Sequence, residues 1–402
     1  MAGKAFRFLA SGVLAACLAI PSPSRSPVVE HSAVANGLTV HEWGTFTSVA
    51  GPDGQAVAWA PLAASADLPA FVEHFRDENL KCSLSGTVRM ETPVLYFYSP
   101  REITVSVQVS FAKGIITEWY PHASAVGPVV PAQDDGDGSI RWDAVRLVPG
   151  THAAFPAGSN DNHYYAARNT AATPVRVNAP GGGQNEKFLF YRGVSSAALP
   201  IAARLTPEGK VLVQNLGTEE IPSVILIESR GGRLGYRVAG GLYDRALVEP
   251  PALTAATVSM NSMLKDLEGL LVASGLYVDE AHAVIATWRN SWFEEGSRLL
   301  YILPAQALNA LLPLAVHPAP VNTTRVFVGR MELVTPATEK AVGQAFAGHD
   351  GPALEKYRRF LVPILNAMIA NAQADPAQAR ELRSYVNTAY SYACRPPRSE
   401  GR

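Results

Sequence analysis

Ile103-Thr104-Val105-Ser106-Val107-Gln108-Val109-Ser110-Phe111 alternates apolar and polar residues without a break. Successive side chains of a strand point to opposite faces, so a period of two predicts a strand with one face in a core and one in water. Runs at 38–47, 94–98, 115–120, 187–194 and 224–228 are β-rich in the same way. Turn signals separate such runs: Gly181-Gly182-Gly183, Pro207-Glu208-Gly209 and Gly231-Gly232. This spacing predicts an antiparallel β-sandwich-like part over 36–250.

From about residue 252 the period changes to that of a helix. Met260, Met263, Leu264, Leu267, Leu270 and Leu271 form an apolar stripe that stops at Gly275, a suitable C′ residue. Asp279 is expected to cap a second helix through Trp288 and Trp292, which share a face and most simply fill a core. Pro363 should split a third helical pattern near Phe360. Asp375-Pro376 with Gln378 should open the last helix. Two strand-like runs, 299–303 and 325–333, interrupt this region and can rejoin the β part. The fold class expected is α+β, with an N-terminal antiparallel β-sandwich-like part and helices gathered in the C-terminal third, over 251–402.

The first 35 residues read as an export address. Lys4 and Arg7 precede thirteen almost wholly apolar or small residues, Phe8 to Ile20. Thirteen residues are too short to span about 30 Å of hydrocarbon, so this is a signal peptide, over 1–16, and not an anchor. Leu14-Ala15-Ala16-Cys17 resembles a bacterial lipobox, with Cys17 as the lipidated residue, and the Pro/Ser-rich stretch 17–35 would be an extended tether. The localisation expected is the periplasm or outer envelope, held to a bacterial membrane. Cys82 and Cys394 are then left as an even pair in an oxidising compartment, which predicts a disulfide. It would close a loop of about 310 residues and contribute roughly 5 kcal/mol at most. Lys plus Arg (34) nearly balance Asp plus Glu (35), without a basic run, which argues against nucleic acid. The glycine patterns of nucleotide sites are missing as well.

Five segments resemble an uncharacterised family of exported bacterial proteins. They are His41-Glu42-Trp43-Gly44-Thr45-Phe46-Thr47, Met90-Glu91-Thr92-Pro93-Val94-Leu95-Tyr96-Phe97-Tyr98 and Ile116-Thr117-Glu118-Trp119-Tyr120-Pro121. Thr287-Trp288-Arg289-Asn290-Ser291-Trp292-Phe293-Glu294-Glu295-Gly296 and Arg325-Val326-Phe327-Val328-Gly329-Arg330-Met331-Glu332 complete the set. The resemblance implies export but no activity.

Candidate chemistry is scattered. His41 and Trp43 share a strand face with Glu42 on the other, so His41 is a candidate base beside an aromatic wall. Glu91 and Glu118, each among apolar or aromatic residues, are candidate general acids and together a candidate glycosidase pair. The simpler expectation is that each pairs with a nearby arginine, such as Arg89 or Arg101, to satisfy a semi-buried charge. His122 follows Tyr120-Pro121 and joins the catalytic candidates. Trp43, Trp119, Tyr120, His163, Tyr164 and Arg168 are the candidate binding residues, since polar and aromatic loops often carry ligands. No metal-ligand spacing occurs, and no cofactor is implied. Asp134-Asp135-Gly136-Asp137-Gly138 fails as a calcium loop, because Ile140 and Arg146 stand where glycine and glutamate are required. The function expected is an envelope binding module for a glycan or protein partner; the alternative is an exported hydrolase.

Overall fold

A computed structural model of the chain describes residues 37–60, 68–74, 84–128, 136–151, 153–158, 162–371 and 376–393. The signal and tether, Cys17, Cys82 and Cys394 lie outside the described residues, as do Asp134, Asp135 and Asp375.

In chain order the strands begin with β1 (Thr39–Val49), β2 (Glu73–His74), β3 (Val88–Tyr98), β4 (Ile103–Phe111), β5 (Gly114–Tyr120), β6 (Ala125–Gly127) and β7 (Gly138–Leu147). Next come β8 (Val175–Ala179), β9 (Gly182–Glu186), β10 (Leu189–Ser195), β11 (Ile201–Leu205), β12 (Val211–Asn215) and β13 (Ile221–Arg230). The set closes with β14 (Arg233–Leu242), β15 (Arg245–Val248), β16 (Thr254–Ala255), β17 (Gly296–Ile302), β18 (Leu314–His317) and β19 (Asn322–Leu333). A ten-stranded sheet runs β16-β14-β13-β17-β19-β1-β3-β10-β5-β2. A six-stranded sheet contains β18-β4-β7-β8-β9, with β6 on β7, and a small sheet contains β11-β12-β15.

The two smaller sheets cover one face of the large one. Val105, Val107, Val109 and Phe111 of β4 point inward, while Thr104 and Gln108 face water. They meet Val40, Phe46, Leu95 and Phe97 of the large sheet in the main core. This is the α+β sandwich that the alternation predicts.

Helices cover the opposite face. Helix α1 (Ala256–Ala273) buries Met263, Leu267 and Leu271, and Gly275 follows it at φ +108°. Helix α2 (Val278–Trp292) buries Trp288 and Trp292, whose rings stack at 6.3 Å. Its N-cap position is Tyr277, not Asp279: Glu280 reaches back to accept from the Tyr277 N–H at 2.8 Å. Asp279, in the first turn, accepts from the Ala171 N–H at 2.7 Å instead. After α3 (Ala305–Leu311) come α4 (Pro336–Ala347), α5 (Gly351–Glu355), α6 (Leu361–Asn371) and α7 (Pro376–Ala393). The helical pattern breaks at Arg358–Phe360, so Pro363 falls in the first turn of α6, where a missing N–H costs little.

The centre of the large sheet is not antiparallel throughout. β1 runs parallel to β19 from Thr39↔Asn322 to Val49↔Glu332. A parallel neighbour requires a long crossover, here almost the whole chain. Covering both faces explains why every residue of β1 is buried, polar ones included. Gly44 is needed in this strand because a Cβ there would stand 2.6 Å from the Phe327 ring. Beside it, Trp43 pairs with Val94 and Thr45 with Glu91, so β3 carries an extra residue, with Thr92 at φ +41°.

Candidate functional site

Three of the four catalytic candidates, His41, Glu91 and Glu118, lie buried on β1, β3 and β5 of the large sheet. His41 Nδ1 stands 2.8 Å from Glu280 Oε2, and the Tyr98 hydroxyl donates to Glu280 Oε1 at 2.7 Å. The Tyr277 ring packs on the imidazole at 4.5 Å. Burial first, and then the Glu280 carboxylate, pushes the Tyr98 hydroxyl far above the ordinary phenol range. His41 and Glu280 are buried, so no substrate meets this trio.

Glu91 and Glu118 are likewise buried, and each faces an arginine supplied by a different part of the chain. Arg359 donates to Glu91 at 2.7 Å, and Arg192 to Glu118 at 2.9 Å. Of the nearby arginines read from sequence, Arg89 does lie beside Glu91, but the direct partner is Arg359. Burial alone would raise the Glu91 carboxyl, yet Arg359 and Arg89 outweigh it and bring the group down to about 2. A general acid must hold its proton near neutral pH, so Glu91 is unsuited to that role.

Glu91 belongs to a larger ionic belt. On β17 and β19, Arg298 donates to Glu332 at 2.9 and 3.1 Å, and Arg330 reaches Glu332 at 3.2 Å and Glu294 at 3.1 Å. Arg330 and Arg359 both meet the Ser291 hydroxyl, at 2.8 and 3.3 Å. Arg298 also donates to the carbonyls of Trp292, Glu294 and Glu295, the end of α2. Burial works against the charge on Glu332, but Arg298 and Arg330 outweigh it and lower its carboxyl. The belt locks the end of α2 and the turn before α6 onto the sheet.

His122 has a different setting, at the β5 edge. Its side chain is 35% exposed and that of Glu73 30%, open enough for a ligand to reach both. His122 Nδ1 is 2.9 Å from Glu73 Oε1, and the Trp119 indole donates to Glu73 Oε2 at 2.9 Å. The register Glu73↔Trp119 makes this a cross-strand pair on the short strand β2. The His122 backbone N–H donates to the Gln184 side chain at 2.7 Å, tying the site to β9. With Nδ1 committed to Glu73, Nε2 is the nitrogen left to meet a ligand.

Two residues along β9, Glu186 is buried and accepts from Arg168 at 2.6 and 2.9 Å and from the Tyr164 hydroxyl at 3.1 Å. Arg168 is ringed by Phe71, Phe155, Tyr164 and Tyr165, at 5.9, 5.4, 5.7 and 4.8 Å. The rings therefore already hold a resident cation, and the cluster buttresses the edge. Burial, and then Glu186, pushes the Tyr120 hydroxyl up to about 12, so it remains a donor.

Among the candidate binding residues, Trp119, Tyr120, Tyr164 and Arg168 thus gather around this edge with His122. Trp43 does not: it is core, under the helices. His163 turns toward α2, its ring 6.0 Å from Trp288. Sequence reasoning missed Glu73, Gln184 and Glu186. Among the described residues no group of three His, Cys, Asp or Glu side chains is placed to hold a metal ion.

No family model matches the chain, and no curated protein matches it. Among solved structures the chain is similar to the yeast delta-COP-I mu-homology domain complexed with a Dsl1 WxWxV peptide. That likeness has 8% identity and a TM-score of 0.25, over 74% of this chain and 96% of that one. A score so low carries no weight for function.

Proposed function

We infer that the chain is an exported envelope protein, tethered through Cys17, that binds a glycan at the edge formed by Trp119, His122, Glu73 and Gln184. One observation carries the reading. His41, Glu91 and Glu118 are buried and held by partners, while the half-exposed edge combines an indole, an imidazole, a carboxylate and an amide. Sugar rings suit such a mixture, since their C–H faces pack on aromatic rings and their hydroxyls both donate and accept. Glycoside hydrolysis by Glu91 and Glu118 loses support, because that chemistry needs two carboxyl groups reached by substrate and water.

A panel of soluble oligosaccharides, screened by calorimetry against the full chain, tests the reading. Binding that falls at least tenfold in His122→Ala, with unchanged thermal stability, is the expected result. Binding that is indifferent to His122→Ala and to Trp119→Phe would overturn it. Turnover of a glycan or ester that depends on His122 would replace it with the hydrolase, since His122 and Glu73 have the base-and-orienter geometry of acyl-transfer enzymes.

A further inference from the structure

A second recess lies at the seam between the two large sheets, away from the edge just described. It has a volume of about 320 Å³ and opens between β18, α3 and the start of β19. Arg325, Asn309, Thr323 and His317 contribute its polar lining, and Leu314 and Pro320 part of its apolar wall. That volume is at the small end of the range for ligand sites, about 300–1,000 Å³.

Arg325 is held in place from behind. Its Nε donates to Glu42 at 2.6 Å, and the buried Tyr191 hydroxyl donates to the same carboxylate. Its Nη1 donates to Asn309 Oδ1 at 2.8 Å. The Arg325 side chain is only 9% exposed, and its Nη2 has no partner among the described residues. A buried guanidinium N–H without an acceptor is costly, so an acceptor supplied from outside would be bound with little reorganisation. Because arginine only donates, Asn309 must present its oxygen to it, which leaves the Asn309 amide N–H₂ for another acceptor. Thr323 and His317 can donate as well. No carboxylate lines the recess among the described residues.

We propose that this recess binds a small molecule with one carboxylate on an apolar body, the carboxylate meeting Arg325 Nη2 and Asn309. A single guanidinium, already half-neutralised by Glu42, suits a monoanion with a planar pair of oxygens better than a phosphate dianion. The apolar wall takes the remainder of the molecule.

The probe is hexanoate, titrated into the full chain by calorimetry, with hexanol and inorganic phosphate as controls. Expected are saturable binding of hexanoate, none of hexanol, and a loss of at least tenfold in Asn309→Leu and in Thr323→Val. Both positions are exposed, so these variants keep the fold, whereas Arg325→Ala would strand the buried Glu42. Absent hexanoate binding overturns the proposal, as does equal binding of hexanoate by the native chain and both variants. Hexanol binding as tightly as hexanoate would reduce the recess to an apolar hole, and phosphate binding in place of hexanoate would overturn the carboxylate.

Discussion

At the helix-covered end of the large sheet, Arg298, Arg330, Glu332, Glu91 and Arg359 hold one another with almost no access to water. At the β5 edge, His122 and Glu73 make the same kind of acid–base contact with about a third of each side chain exposed. The chemistry of the pairs is alike, and the dielectric around them is not. Sealed charges must be matched by hydrogen bonds or the fold suffers, so the belt is bound to structure. Exposed charges are matched by water and can exchange it for a ligand, so the edge is free for function.

Removing one member of the belt is the most severe way to break this contrast. Arg298→Ala would leave Glu332 with Arg330 as its one remaining cation and the Trp292, Glu294 and Glu295 carbonyls without their donor. The expected loss is about 3–5 kcal/mol, read from urea unfolding. A loss below about 1 kcal/mol would mean that the belt is solvated, and the contrast with the edge would disappear.

Acid tests the same region without mutation. The Glu91 carboxyl is lowered from 4.5 to about 2. A depressed carboxyl contributes stability that is complete above the unfolded value and lost as pH falls from about 4.5 toward 2. That contribution is about 3 kcal/mol. The expected outcome is a drop in unfolding free energy between pH 6 and pH 3 that is smaller in Glu91→Gln. Identical pH slopes in the two proteins would place the acid sensitivity elsewhere.

Arg168 stands between the extremes, with 15% of its side chain exposed and its partner Glu186 sealed. Arg168→Met keeps a long apolar stem among the four rings but strands the carboxylate, which retains the Tyr164 hydroxyl. About 2–3 kcal/mol should be lost in thermal unfolding, less than for Arg298→Ala. A neutral result would show that the rings, and not the ion pair, hold this edge together.

What could be read before folding follows the range of the interaction. The alternation at Val105, Val107, Val109 and Phe111 is local, and it correctly marks β4 and the sandwich. The stripe through Met263, Leu267 and Leu271 and the stop at Gly275 are local too. The parallel pairing of β1 with β19 is not, since it joins residues from opposite ends of the chain. The arginine pairing of the candidate glutamates is legible, but the particular partners are not, for the same reason: Arg359 is 268 residues from Glu91, and Arg192 is 74 from Glu118. Glu73 lies on a strand of two residues, too short for any period to register. His122 was visible because an aromatic-Pro-His turn ends a clear strand, yet nothing near it in sequence announced the carboxylate that orients it.

Glu73→Gln should have the smallest effect on the fold and the most informative effect on the edge. The amide keeps an oxygen for the Trp119 indole, and the pair it replaces is half-solvated, so stability should change by less than about 1 kcal/mol. The imidazole, however, loses the carboxylate that orients it through Nδ1, so oligosaccharide binding followed by calorimetry should weaken. Binding lost as fully as in His122→Ala would tie recognition to the carboxylate behind the imidazole. Binding left intact would instead assign recognition to Trp119 and Gln184.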